Sequence, residues 1–143
     1  RIDLAALPTI TGSSYLAPYN AQVAGRSYRP LAEAGGLTQF GANLVTVAPG
    51  AWSSQRHWHS HEDEMVVMLA GELVLVEDDG ETVMQAGDIA CFPAGAANGH
   101  HLQNRGTAPA MFVAIGTNQP DIDECHYPDI DMHLDARGFR RKA

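Results

Sequence analysis

His57-Trp-His-Ser-His-Glu-Asp-Glu64, followed directly by Met65-Val-Val-Met-Leu69, is the stretch that decides both the fold class and the chemistry of this chain. It sets three imidazoles and three carboxylates ahead of an apolar run with the length of a buried strand. Neutral imidazole together with carboxylate is a ligand set for a divalent transition metal. In a strand, residues two apart share a face, so His57 and His59 point together. Glu64 has the opposite parity and rejoins them only after an irregularity, which a bulge or turn around Ser60 to Asp63 would supply. His61 shares the parity of His57 and His59 and is the rival ligand if the strand stays regular. The zinc-protease pattern His-Glu-x-x-His is not met, because His61-Glu62-Asp63-Glu64-Met65 lacks its second histidine.

The apolar run carries a second message. A strand with one solvated face alternates apolar and polar residues, and Met65 to Leu69 does not. With Glu64 inward, Val66 and Met68 share its face, and Met65, Val67 and Leu69 need another cover. The N-terminal arm or a partner subunit would provide it, and a homodimer is the expected assembly.

Working outward, turn signals punctuate short β-rich segments. Phe40 to Ala48 ends at Pro49-Gly50, and Arg56 to Leu69 ends at Ala70-Gly71. Asp78-Asp79-Gly80 reads as a hairpin turn between Leu73–Glu77 and Glu81–Met84, since glycine supplies the positive φ such turns need. Ile89 to Phe92 is a further short strand. His100 to Arg105 and Ala110 to Gly116 are predicted to close the chain's strands as a last hairpin. With no convincing amphipathic helix, the pattern is all-β, an antiparallel sandwich or barrel in one domain.

Residues 1–36 are broken by Pro and Gly at short intervals yet carry Leu4, Leu7, Ile10, Tyr15, Leu16, Tyr19 and Tyr28, which predicts an arm packed on something. Residues 37–117 are the predicted barrel. Residues 118–143 form an acidic, irregular C-terminal extension whose carboxylates read most simply as solvated surface. His61, His126 and His133 are likewise expected to be solvated, as isolated surface imidazoles usually are.

The chain has 143 residues, 9 Lys and Arg against 17 Asp and Glu, and a net charge of -8. That balance argues against a phosphate-backbone partner, which needs clustered cations. No apolar run approaches the roughly 18 residues of a membrane span, and no signal-peptide pattern is present, so a cytoplasmic protein is the expectation. Cys91 and Cys125 are expected to be free thiols.

Two spaced patterns join these observations. Gly50, His57, His59, Glu64 and Gly71 resemble the first motif of the cupin superfamily, Gly-x5-His-x-His-x3–4-Glu-x6-Gly. Gly87, Pro93, Gly95, His100 and Asn104 resemble its second motif, Gly-x5-Pro-x-Gly-x2-His-x3-Asn. Stretches such as Ser53-Ser-Gln-Arg-His-Trp-His59 and Tyr127-Pro-Asp-Ile-Asp131 are similar to a group of small single-domain bacterial cupins of undefined function. The resemblance implies a jelly-roll β-barrel, with His57, His59, Glu64 and His100 on one divalent ion such as iron, manganese, nickel or zinc. Four residues separate Gly95 from His100 where the motif has two, which leaves His101 in competition with His100. Parity favours His100, because it turns Leu102 inward, whereas His101 inward would bury Gln103.

A site of three imidazoles and one carboxylate leaves room for a substrate on a six-coordinate ion. Isomerisation, decarboxylation, hydrolysis and dioxygenation are all compatible with it. The alternative is a module that binds a small molecule without turning it over, the metal serving as anchor. Glu62 and His101 are the nearest candidates for a proton-carrying group, and Gln55 shares the parity of His57 and is expected to line the cavity. Val66, Met68, Phe92 and Leu102 would make that cavity apolar and narrow, suited to a small ligand.

Overall fold

The structure is a computed structural model that describes residues 1–142. Thirteen short strands account for nearly all of the regular structure: β1 (Ile10–Thr11), β2 (Arg26–Pro30), β3 (Phe40–Val47), β4 (Trp58–His59), β5 (Glu64–Ala70), β6 (Glu72–Glu77), β7 (Gly80–Gln85), β8 (Ile89–Phe92), β9 (His101–Gln103), β10 (Ala110–Thr117), β11 (Cys125–His126), β12 (His133–Asp135) and β13 (Gly138–Arg140). The helical pieces are a 3₁₀ turn at Leu4–Ala6 and α1 at Leu31–Ala34. Among the described residues, no helix is long and apolar enough to cross a membrane.

The strands form a six-stranded sheet, β1-β2-β3-β10-β5-β8, a three-stranded sheet, β7-β6-β9, and a four-stranded sheet, β13-β12-β11-β4. Every pairing is antiparallel. The core lies between the first two sheets. Val45, Val66, Met68, Phe92 and Phe112 face it from the large sheet, and Leu73, Leu75, Met84 and Leu102 from the small one. Their alternation with less buried residues is the period of two that a one-sided strand dictates. Burying a side chain the size of Met68 or Leu73, both sealed from solvent, stabilises the fold by about 1.5–3 kcal/mol each.

Several strand boundaries match the sequence prediction closely, including the Asp78-Asp79-Gly80 hairpin between β6 and β7. The last hairpin does not form. β9 pairs with β6, whereas β10 is the centre of the large sheet between β3 and β5. The reason is Asn104, fully buried just after β9. Its Nδ2 donates to the carbonyls of Val47 and Ala108, so the chain leaves β9 and crosses to the other sheet. Gly71, with φ +74°, makes the opposite crossing from β5 to β6. A Cβ there would stand 2.8 Å from the Ala110 Cα and the Pro109 carbonyl oxygen, a position only glycine tolerates.

The N-terminal residues are woven into this framework, with β2 hydrogen-bonded along β3. The C-terminal extension is not the solvated surface its charge suggested. Cys125, Tyr127 and Met132 are buried in a second cluster with Tyr15, Leu16, Tyr19, Leu134 and Phe139. Apolar residues interleaved with the acids take up the apolar residues of the first 36, and β11 pairs directly with β4. The two cysteines are free, Cys91 exposed and Cys125 buried. On the outer face of β5 only part of the apolar run is covered: Leu69 is 49% exposed, and Ile89, opposite Val67, is 60% exposed.

Candidate metal centre

The His-rich stretch is held in place by main-chain pairing with a segment far along the chain. His57 N donates to His100 O at 3.2 Å, and His100 N returns a bond to His57 O at 2.9 Å. This bridge lays the two motifs side by side. Beyond His59 the chain leaves the sheet as the parity of Glu64 requires. Asp63 secures the break, its N–H donating to Thr117 Oγ1 at 2.9 Å and its Oδ1 accepting from Ala94 N at 2.8 Å. Glu64 then re-enters opposite Phe92 and Gly116.

The result brings His57, His59, Glu64 and His100 together. The Nε2 atoms of His57 and His59 lie 3.7 and 3.5 Å from Glu64 Oε2, and His100 Nε2 lies 3.6 Å from Oε1. Each imidazole has its other nitrogen committed. His57 Nδ1 meets Gln55 O at 2.8 Å, His100 Nδ1 meets Asn98 O at 3.0 Å, and His59 Nδ1 meets Asp123 Oδ2 at 2.7 Å. Carbonyl and carboxylate oxygens only accept, so Nδ1 carries a proton in all three rings, and a metal would take the Nε2 lone pair that each ring presents once it is neutral. Three imidazole nitrogens gathered around one carboxylate are a donor set that could hold a divalent cation. His100 Nε2 sharpens the point, since it is buried and has no hydrogen-bond partner. A divalent ion would satisfy it. The His100 ring is further fixed by stacking on Phe92, with centroids 3.5 Å apart and planes 3° from parallel.

Charge follows the same geometry. Burial opposes ionisation of Glu64, yet the facing imidazoles of His100, His57 and His59 hold its carboxyl well below the usual range. Burial also acts against a charged His59, but the Glu64 and Asp123 carboxylates outweigh it and hold the ring up to about 9 with no metal bound. Cys125 offers its sulfur beside His57 and His59, although burial pushes this thiol up to about 12, so it stays protonated.

Asp123 escaped the sequence analysis because it stands in the acidic extension, with no spacing that ties it to His59. Its Oδ2 accepts a hydrogen bond from His59 Nδ1 and its Oδ1 accepts from the His61 N–H at 2.9 Å. Arg56 is the second such residue. It forks onto Asp129 at 2.8 Å through Nε and Nη2, pairs with Asp78, and donates to Gly99 O at 3.0 Å, bracing the loop before His100. A Cβ at position 99 would stand 2.8 Å from Pro128 and 2.9 Å from Arg56 Nη1, so a side chain there would have to displace the bracing guanidinium.

His101 is also buried, although strand alternation with His100 inward turns it to the opposite face. Both its ring nitrogens are engaged. Nδ1 donates to Ser54 O at 2.8 Å, Nε2 lies 3.0 Å from the Gln103 amide nitrogen, and Trp52 packs edge-on at 4.8 Å. Burial depresses its basicity. Gln55 turns away from the centre to bond Tyr19 O and Gln22 Oε1, on the far side of the small sheet. His61 is exposed, whereas His126, its side chain 34% exposed, stacks on Trp58 at 4.3 Å and meets His133, which is 14% exposed.

The centre opens into a cavity of about 450 Å³. Val66, Leu75, Phe92, Leu102 and Phe112 give it apolar walls, and Arg26, Tyr28, Asn43 and Glu62 supply polar groups. Met68, expected on this wall, is instead sealed in the core behind it.

The Cupin_2 family profile, described as a cupin domain, matches residues 43–116, which include His57, His59, Glu64 and His100. The chain is a cupin. It is 48% identical to a cupin-superfamily sugar phosphate isomerase from Silicibacter pomeroyi, over 99% of this chain and 92% of that one, with a TM-score of 0.93. A protein from Acidithiobacillus ferrooxidans provisionally given the same activity is 27% identical, over 92% and 83% of the two chains, with a TM-score of 0.79. A polyketide cyclase from Streptomyces resistomycificus, 16% identical over 83% and 79% with a TM-score of 0.66, shares the cupin fold alone. No curated protein matches the sequence.

Proposed function

We propose that this cupin is a metal-dependent isomerase of small phosphorylated sugars, with one divalent transition ion held by His57, His59, Glu64 and His100. The observation that carries the metal is the convergence of three Nε2 lone pairs on Glu64, His100 Nε2 being buried and unpartnered. The substrate class is supported by the 48% identity, over nearly the whole chain, to a protein called a sugar phosphate isomerase.

When bound, the ion supplies Lewis-acid polarisation of substrate oxygens and stabilises enediolate-like charge. The chain's own residues do the rest. Apolar Val66, Phe92, Leu102 and Phe112 exclude water from the reacting carbons and strengthen electrostatic contacts within the cavity. Interconverting an aldose and a ketose requires a proton to leave one carbon and return to its neighbour. Glu62 is the group for this step. It lines the cavity, its Oε1 accepts from Gln119 N at 2.8 Å, and its Oε2 stands 3.8 Å from His59 Nδ1, beyond hydrogen-bond distance. His101 has no free nitrogen for the task.

The test is metal analysis of protein purified without an affinity metal, followed by reconstitution with manganese, iron, nickel or zinc and incubation with pentose and hexose phosphates. Aldose–ketose interconversion that is lost in Glu62→Gln at unchanged metal content is the expected result. Sugar phosphates that bind but remain chemically unchanged, aerobically and anaerobically, would assign the protein to the non-catalytic binding class. We place it in the cytoplasm as a homodimer, with the exposed Leu69 and Ile89 covered by the second copy. A monomer mass by light scattering at micromolar concentration would remove the dimer.

A further inference from the structure

The cavity holds a cation that the metal centre does not use. Arg26 lies on β2 two residues from Tyr28, and the pair stand opposite Val47 and Val45, inward residues of β3. Arg26 is therefore an arginine on the inner face of the barrel, and it lines the same cavity as His57, Glu64 and His100. No other Lys or Arg lines that cavity.

Its hydrogen bonds leave it short of partners. Nη1 donates to Ser53 O at 3.0 Å and Nη2 reaches Gly12 O only at 3.5 Å, while Nε is buried with no partner at all. Arg56, Arg105, Arg137, Arg140 and Arg141 each pair with a carboxylate. Among the described residues, Arg26 pairs with none. Neither of the cavity's two carboxylates pairs with it: Glu64 faces the three imidazoles, and Glu62 accepts from Gln119 N. A partly buried guanidinium without an anion is costly, and its planar fork of donors matches the oxygens of a phosphate or carboxylate.

We propose that Arg26 is the anion anchor of the cavity. It holds the oxyanion at one end of the substrate, a phosphate ester or a carboxylate, and so directs the substrate's hydroxyl and carbonyl oxygens toward His57, Glu64 and His100. Tyr28 and Asn43 line the wall beside it. The anchor rests on the site proposed above and adds to it the residue that would distinguish an anionic sugar from a neutral one.

The test uses wild type, Arg26→Gln and Arg26→Lys, each after chelator treatment and after reloading with Mn(II), with metal content and thermal midpoint measured for every sample. Each is titrated calorimetrically with inorganic phosphate, ribose 5-phosphate, ribonate and ribose. The chelated samples matter because no metal can then hold the anion. The wild type is expected to bind at least one anion in both metal states. Arg26→Gln is expected to weaken it about 10- to 100-fold, in line with loss of charge-assisted hydrogen bonds, and to leave ribose unaffected. The tighter arm identifies phosphate or carboxylate as the group recognised. Should Arg26→Gln not fold, Arg26→Lys decides, with about a 3- to 10-fold loss expected when the fork becomes a point charge. Equal anion affinity in wild type and variant, or no anion binding by folded wild type, overturns the anchor. The two proposals fail separately. Mn(II) that loads normally while anion affinity ignores Arg26 leaves the metal centre standing, and anion binding through Arg26 in protein that takes up no metal leaves the anchor standing.

Discussion

Replacing Asp123 measures how far the C-terminal extension belongs to the metal centre. Asp123 makes two bonds there, to His59 Nδ1 at 2.7 Å and to the His61 N–H at 2.9 Å, and its side chain is only 9% exposed. Asp123→Ala removes both acceptors, frees the His59 ring to rotate and makes its Nε2 a weaker donor. Loss of such an outer partner typically costs 10- to 100-fold in metal affinity. Because the bond to His59 is partly buried and the Asp123 side chain is only 9% exposed, an effect toward the upper end of that range, about 100-fold or about 2.8 kcal/mol, is expected for alanine. Asp123→Asn keeps an acceptor but not the charge, and about 10-fold, about 1.4 kcal/mol, is expected. Affinity is read by competition with a chromophoric chelator for Mn(II) and for Zn(II) at pH 7.5, with far-UV dichroism as a control for folding. Asp121→Ala, at an exposed position in the same acidic segment, should bind as wild type does. An Asp123→Ala protein that folds and binds either ion within twofold of wild type would refute the coupling of the extension to the centre.

Other outcomes follow from the same geometry. His100→Ala should abolish stoichiometric metal, whereas His101→Ala should retain it and lose thermal stability, since it removes a buried, hydrogen-bonded ring; a greater metal loss at position 101 would reverse the assignment. Gly71→Ala should destabilise the fold by about 2 kcal/mol or more in urea titrations, because its φ of +74° and the 2.8 Å approach of the Ala110 backbone both oppose a Cβ; an unchanged midpoint would contradict the close crossing. Metal-free protein should lose stability as pH rises from about 6.5 through about 9, because His59 is held above its ordinary 6.5 and its contribution is complete only below that value. Glu64, held below its ordinary 4.5, adds stability above that value that is lost on further acidification. The metal-loaded protein should lack the alkaline decline, since the ion takes the place of the His59 proton, and thermal midpoints across pH 5–10 compare the two states.

Much of this could be read from local pattern. His57, His59 and Glu64 meet as their parity and the break at Ser60 to Asp63 require, and the hairpin at Asp78-Asp79-Gly80 follows from its turn residues. What was not legible depended on partners distant in sequence. Nothing near His100 and Ala110 shows that β9 and β10 part company, because the buried Asn104 that redirects the chain is indistinguishable in sequence from a turn asparagine. The tail misled because its acids dominate its composition, while Tyr127, Met132 and Phe139, which bury it, are spread among them. His101 misled differently. Parity assumes one buried face, and Trp52 and Ser54 cover the other face of β9 at His101. Arg26 could have been found, since Arg26-Ser-Tyr-Arg-Pro30 places it on the face of Tyr28, had the segment been recognised as a strand.

The bond from Asp123 to His59 also bears on how the protein matures. During synthesis the chain emerges from its N-terminus and begins to fold before it is complete. Both histidine motifs, and every strand of the two main sheets, precede Asp123. A nascent chain can therefore display His57, His59 and His100 to cellular metals while the His59 ring is still unbraced and β11 has not yet covered β4. For the proposed metal centre, firm retention of an ion would then begin only when the final segment docks, after the strands of the two main sheets have been made.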